Sequence, residues 1–204
     1  MNDAAMSHTT ADAAAWKAGF VAIYNQKIQR KGADKLLAWL ENQEFFTAPA
    51  STRYHAAYEG GLVEHSLNVY HVLMERFDPE KDNAESFAIV SLLHDVCKTG
   101  FYAIEMRNRK NKQGQWESVP FYTIDDQFPY GHGEKSVYLI ERFMRLTTEE
   151  AVAIRWHMGG FDEAVRGGSF ALAHAYEKYP LAVKLHMADL EATYLREQRR
   201  EEEA

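Results

Sequence analysis

A histidine and an aspartate stand side by side at the end of an apolar run, where residues 91–98 have the sequence Ser-Leu-Leu-His-Asp-Val-Cys-Lys. The imidazole of His94 and the carboxylate of Asp95 are ordinary ligands for divalent metals, and the ammonium of Lys98 could hold a phosphate oxygen beside the metal. The run therefore predicts a catalytic metal core at the end of a buried helix. Most His-Asp pairs taken alone are surface residues or helix-end hydrogen bonds, so the prediction depends on further ligands elsewhere in the chain.

Apolar residues recur at three- and four-residue intervals along most of the chain, which is the pattern of amphipathic helices. The intervals predict helices over 12–29, 34–42, 61–77, 87–93, 131–146, 151–157 and 170–179, and a last long helix with Pro180 in its first turn. Asn83 or Ser86 is expected to cap the fourth helix, and Thr147 with Glu150 fits a capping box before the sixth. No repeat or linker interrupts the pattern, and 204 residues suit one well-buried core. We therefore expect a single all-α domain.

One stretch departs from the helical pattern. Residues 101–106 and 116–124 are β-prone and flank a polar segment at 111–114, Asn-Lys-Gln-Gly. This arrangement predicts a small inserted β-hairpin over about 101–124, which we expect to edge the pocket and to influence substrate choice. Arg107 and Arg109 of the hairpin could reach a substrate phosphate, although a solvated hairpin tip is the commoner arrangement.

Composition limits the partners and the compartment. A formal net charge of -7 argues against a surface for long duplex nucleic acid. Cys97 is the only cysteine, which excludes an intrachain disulfide and favours a reducing compartment. We expect Cys97 to pack in the core, with metal ligation as the alternative. Residues 1–15 have the features of neither a signal peptide nor a transmembrane span, so a cytoplasmic protein without a membrane partner is expected.

Further potential ligands lie on separate predicted helices. Besides the His-Asp pair they are His65, His132, His157 and Asp189. The order His, His-Asp, His, His, Asp over residues 54–189 resembles the HD-domain superfamily of metal-dependent phosphohydrolases. Residues 60–69, Gly-Gly-Leu-Val-Glu-His-Ser-Leu-Asn-Val, and residues 92–98 resemble the HD domain of the bacterial 3′–5′ exoribonuclease family. The six-ligand order is similar to that of the HD-GYP phosphodiesterases.

The resemblance implies a helical HD-type bundle with a core over about 54–195. The polar ends of the chain, 1–12 and 197–204, are expected to be flexible. The resemblance also implies divalent cations, two in number, of Mn, Fe, Ni, Zn or Mg. The first would be held by His65, His94, Asp95 and Asp189, and the second by Asp95, His132 and His157. Asp95 would bridge the two, Lys98 would bind a phosphate oxygen, and His55 would contact the substrate or assist the leaving group.

The implied function is hydrolysis of a phosphomonoester or phosphodiester bond of a nucleotide or short oligonucleotide by a metal-activated water. Asp95 and Lys98 are the expected catalytic residues. An HD-type mixed-valence diiron oxygenase acting on a small polyol or phosphonate is the alternative, because its ligand order is the same. A binding or regulatory module without turnover is disfavoured, since all six ligand positions are filled. The sequence predicts no particular oligomeric state.

Overall fold

The structure is a computed structural model that describes residues 10–111 and 113–197. Helices make up most of it, and one antiparallel hairpin is inserted between the fourth and fifth helices. The helices are α1 (Thr10–Lys27), α2 (Ala33–Glu41), α3 (Gly61–Met74), α4 (Ala84–Leu93), α5 (His132–Glu141), α6 (Thr148–Trp156), α7 (Glu163–Arg166), α8 (Ala171–Lys178) and α9 (Pro180–Glu191). The all-α prediction with a small β-hairpin is confirmed at this level.

Local sequence signals explain where several helices begin. The Asn83 side chain accepts a hydrogen bond from the Ser86 amide at the start of α4, so Asn83 is the cap of the two residues considered. Thr147 and Glu150 form the predicted capping box at the start of α6. The buried carboxylate of Glu150 also accepts hydrogen bonds from Arg30 and Ser86. This carboxylate therefore ties the start of α6 to α4 and to the segment after α1.

The hydrophobic core is built around α3 and α4. All residues of α4 from Phe87 to Leu93 are buried, and a helix that is apolar on every side needs neighbours all round. Phe20 of α1 and Leu36 of α2, near the start of the chain, are fully buried in the same hydrophobic core. Helices α1 and α2 therefore pack into this core, in agreement with their predicted amphipathic pattern.

The hairpin consists of β1 (Tyr102–Lys110) and β2 (Trp116–Ile124), which agrees with the predicted 101–124. The strands pair in register from Tyr102 opposite Ile124 to Lys110 opposite Trp116. Most of β1 is exposed, so the hairpin is held to the helices mainly at the Tyr102 end, where Tyr102 packs against the core. Within 10–111 and 113–197, no helix is both long enough and apolar enough to span a membrane.

The two predicted flexible ends differ from the structure at their inner boundaries. Residues 10–12 belong to α1, while 1–9 lie outside the described residues. Glu197 is buried, and its carboxylate contacts His65. The flexible tail predicted from residue 197 therefore begins too early. Residues 198–204 also lie outside the described part.

Candidate metal centre

The elements that carry the six predicted ligands meet around Asp95. His65 lies on α3, His94 and Asp95 follow the end of α4, and His132 is the first residue of α5. His157 directly follows α6, and Asp189 lies near the end of α9. Gly133 lets α5 approach α6 closely, since a Cβ at this position would overlap the carbonyl of Arg155. This close approach brings the ends of α5 and α6, and with them His132 and His157, to the same point.

One group of donor atoms corresponds to the first predicted metal position. His65 Nε2 is 3.1 Å from His94 Nε2, 3.2 Å from Asp189 Oδ1 and 3.6 Å from Asp95 Oδ2. His94 Nε2 lies 3.5 Å from Asp95 Oδ2. Ligand atoms bound to one ion at ~2.1 Å are separated by roughly 3.0–3.4 Å in octahedral or tetrahedral geometry. His65, His94 and Asp189 therefore match the spacing of a single metal site, and Asp95 Oδ2 lies next to it, 3.6 and 3.5 Å from the two histidines.

The remaining donors surround the other oxygen of Asp95. His132 Nε2 is 2.9 Å and His157 Nε2 is 3.5 Å from Asp95 Oδ1. The His94 and His157 rings are 4.8 Å apart between centroids, so the two groups of donors are continuous. Asp95 is the residue common to both groups, as bridging between two cations would require. The assignment of these side chains as ligands stays a prediction.

Hydrogen bonds at Nδ1 orient two of the imidazoles. His94 Nδ1 lies 2.8 Å from the Ser91 carbonyl, and His157 Nδ1 lies 2.7 Å from the Ile154 carbonyl. A carbonyl only accepts, so each Nδ1 carries the proton, and in the neutral ring Nε2 presents a lone pair. Both histidines directly follow a helix, where the last carbonyls lack partners within the helix.

The Nε2 atom of His157 provides a test of whether these residues fit a metal. It is buried and has no hydrogen-bond partner among residues 10–111 and 113–197, which is costly for a polar atom unless a cation or another partner satisfies it. Nitrogen and carboxylate donors together suit Zn, Mn, Fe or Ni. The residues therefore fit a divalent metal.

The electrostatics of the metal-free chain also favour positive charge at this point. Burial lowers the pKa of His94 to about 3, which keeps its ring neutral. Burial opposes protonation of His65 too, but Glu197 and Asp189 outweigh burial and raise the pKa of His65 to about 10. The His65 ring is then protonated on both nitrogens, and its Nε2–H points among the acceptors of His94 and Asp189. A proton thus occupies a position that suits a cation.

Lys98 lies against Asp95 rather than projecting into open space. Its ammonium is 2.7 Å from Asp95 Oδ2 and also donates to the Ala50 carbonyl at 2.7 Å. Burial would raise the pKa of Asp95, but the Lys98 ammonium and the hydrogen bond from His132 hold it well below its usual range. Lys98 therefore belongs to the site, and its nearest anion is the carboxylate at the centre.

The other predicted substrate contacts are less central. His55 packs against His65, with 5.2 Å between ring centroids. Arg107 lies over the Phe121 ring, and Arg109 pairs with Glu117. At ~3.4 Å per residue these arginines are roughly 17 and 24 Å along the strand from Tyr102, the end of the hairpin held to the helices. The arginines could meet a long substrate but lie far along the hairpin from its attachment to the site, and their predicted role stays untested.

Glu197 and Cys97, which were not among the predicted ligands, contact the rings of two of them. Glu197 Oε1 is 2.8 Å from His65 Nδ1. Cys97, predicted to pack in the core, is buried and its Sγ is 3.4 Å from His132 Nδ1. The adjacency of Cys97 to the His-Asp pair was a visible signal. Glu197 had none, since it stands in a charged tail after the last apolar helix.

A cavity of about 590 Å³ opens beside His132. Its wall includes Cys97, Phe101, Lys135 and Phe161. His132 is the most exposed of the predicted ligands, with 27% of its side chain accessible, whereas His94 and His157 are fully enclosed. The cavity therefore offers a small molecule access to the His132 side of the cluster.

Comparisons with models of known families, with curated proteins and with solved structures give no match. The interpretation of the site therefore depends on its geometry and on the order of its residues along the chain.

Proposed function

We propose that the chain is a metal-dependent phosphohydrolase of the HD type. Its substrate would be a phosphomonoester or phosphodiester of a nucleotide or short oligonucleotide. The observation that carries the proposal is the convergence of four histidine Nε2 atoms and the Asp189 carboxylate around Asp95, with separations that suit metal ligation. Such donor sets on separate helices hold the divalent metals used in phosphoester hydrolysis.

Two divalent cations, when bound, neutralise phosphoryl charge and acidify a water that attacks phosphorus. The chain contributes the arrangement around them. Asp95 presents one oxygen to His65 and His94 and the other to His132 and His157. The carbonyls of residues 91 and 154 hold two of the rings with Nε2 toward this carboxylate. Such preorganised donors lower the cost of assembling the site.

The cavity beside His132 supports a nucleotide-sized substrate. Its volume of about 590 Å³ lies within the range of small-molecule sites. Phe101 and Phe161 in its wall offer ring faces on which a base could stack. Lys98 has three N–H donors, of which two are directed at Asp95 and Ala50. The third would hold a phosphate oxygen next to Asp95.

The test begins with protein purified without oxygen, stripped by a chelator and reloaded separately with Mn²⁺, Fe²⁺, Ni²⁺, Zn²⁺ or Mg²⁺. Phosphate release is measured over a panel of nucleotides and dinucleotides, and oxygen consumption is measured in parallel with polyols and phosphonates. The proposal expects metal-dependent cleavage that disappears after chelation. Iron-dependent oxygen consumption with no cleavage of any phosphoester would replace the hydrolase with the oxygenase alternative.

A further inference from the structure

Glu197 contacts His65, a ligand of the first predicted metal position, at the ring nitrogen that faces away from the other ligands. Its carboxylate is fully buried, and Oε1 accepts from His65 Nδ1 at 2.8 Å and from Asn68 Nδ2 at 3.3 Å. Asn68 is one turn after His65 on α3, so the two donors lie on one face of the helix. A buried carboxylate requires such partners, because an unpaired one would be strongly destabilising.

The last described segment holds His65 at both ring nitrogens. Asp189 of α9 lies beside Nε2, and Glu197 lies beside Nδ1. Between these two residues the chain passes through a π-helical turn, Ala192–Arg196, that is closed by a bond from the Glu197 amide to the Ala192 carbonyl. The wider turn changes the direction in which the next side chain points relative to a continued α-helix.

Ion pairs next to Glu197 fasten this segment to α3 and α9. Arg196 contacts Glu75 at 2.7 Å and Glu191 at 3.0 Å. Glu75 directly follows α3, the helix that carries His65. These pairs are at least partly exposed and each contributes little alone, but together they hold the turn that directs Glu197 inward.

We infer that Glu197 is a positioning residue that sets the tautomer, orientation and donor strength of His65 for the metal. The inference rests on the metal-binding part of the proposed function. When a metal replaces the proton on His65 Nε2, a carboxylate that accepts from Nδ1–H leaves the Nε2 lone pair facing His94, Asp95 and Asp189, and its negative charge makes the imidazole a stronger donor. The end of the chain thus contributes to the metal centre through His65, without touching the metal.

The experiment measures metal affinity directly. Metal-free wild type, Glu197→Ala and Glu197→Gln are titrated with Mn²⁺ and with Zn²⁺ in a calorimeter. Loss of such a carboxylate costs roughly 10–100-fold in metal affinity, so Glu197→Ala should weaken one of the two binding events by that factor. Glu197→Gln keeps an oxygen that can accept from Nδ1–H and should recover part of the loss. The control is Glu177→Ala, which removes an exposed carboxylate from α8 and should bind like wild type.

The free energy of unfolding in chelator is measured for the same variants, because Glu197→Ala also leaves a buried donor unpaired. The inference is overturned if Glu197→Ala binds Mn²⁺ and Zn²⁺ with wild-type affinity, whatever its free energy of unfolding. If Glu197→Ala does not fold, the same criterion applies to Glu197→Gln. If the wild type binds metal but cleaves no phosphoester, the proposed hydrolase activity is wrong, and the inference about Glu197 is unaffected. If the wild type is active and the Glu197 variants bind metal with wild-type affinity, only the inference about Glu197 is wrong.

Discussion

Replacing Asp95 with alanine should abolish metal binding. It should also destabilise the protein when no metal is present. Asp95 Oδ2 is 2.7 Å from the Lys98 ammonium, and only 3% and 12% of the two side chains are exposed. Breaking a buried ion pair by removing one partner costs about 3–5 kcal/mol, since the other charge is left buried. His132 would also lose a hydrogen-bond acceptor, because Asp95 Oδ1 lies 2.9 Å from its Nε2. We expect a loss of about 3–5 kcal/mol in the free energy of unfolding.

The assay is urea denaturation in chelator, followed by circular dichroism, for wild type, Asp95→Ala, Lys98→Met and the double variant. The double variant should be more stable than Asp95→Ala, because the uncompensated ammonium is gone. Glu117→Ala is the control, since its exposed pair with Arg109 is worth at most ~1 kcal/mol. A loss below ~1 kcal/mol for Asp95→Ala, with no recovery in the double variant, would refute the claim that Asp95 and Lys98 form a buried charge pair.

Three other predictions concern the metals and the substrate. Lys98→Ala should retain both metals by elemental analysis but lower kcat, because its ammonium acts on phosphate charge; loss of metal would instead make Lys98 a support of Asp95. Arg107→Ala with Arg109→Ala should raise KM for the substrate at unchanged metal content, whereas unchanged kcat and KM would leave the hairpin tip a solvated turn. Metal at 1,000 times its Kd should stabilise the fold by about 4 kcal/mol over protein in chelator, visible as a higher Tm; equal Tm values would argue against a metal site in the folded chain.

The sequence predicted the helices from apolar spacing, and it singled out the six convergent side chains because their order along the chain resembles that of the HD-domain superfamily. Apolar spacing marks α3, α4 and α9, and a ligand order spread over separate helices indicates a site between them. The capping box of Thr147 and Glu150 was visible for the same reason, since its residues are three apart. Such local or ordered signals do not require the three-dimensional packing to be known.

Features that depend on packing between distant segments were missed. The Ala50 carbonyl that accepts from Lys98 has no side-chain signature. Glu197 reaches His65 through the π-helical turn that follows α9. The apolar spacing of the sequence did not predict that turn. The predicted flexible tail was wrong at Glu197 for this reason.

The most direct test of the account is anomalous diffraction from crystals of protein loaded with Mn²⁺ or Zn²⁺. The account predicts two anomalous peaks per chain, both within ligand distance of Asp95. One peak should contact His65, His94 and Asp189, and the other His132 and His157. A loaded protein with no peak beside Asp95, or with metal only at exposed carboxylates elsewhere, would contradict the central claim that these side chains form a metal centre.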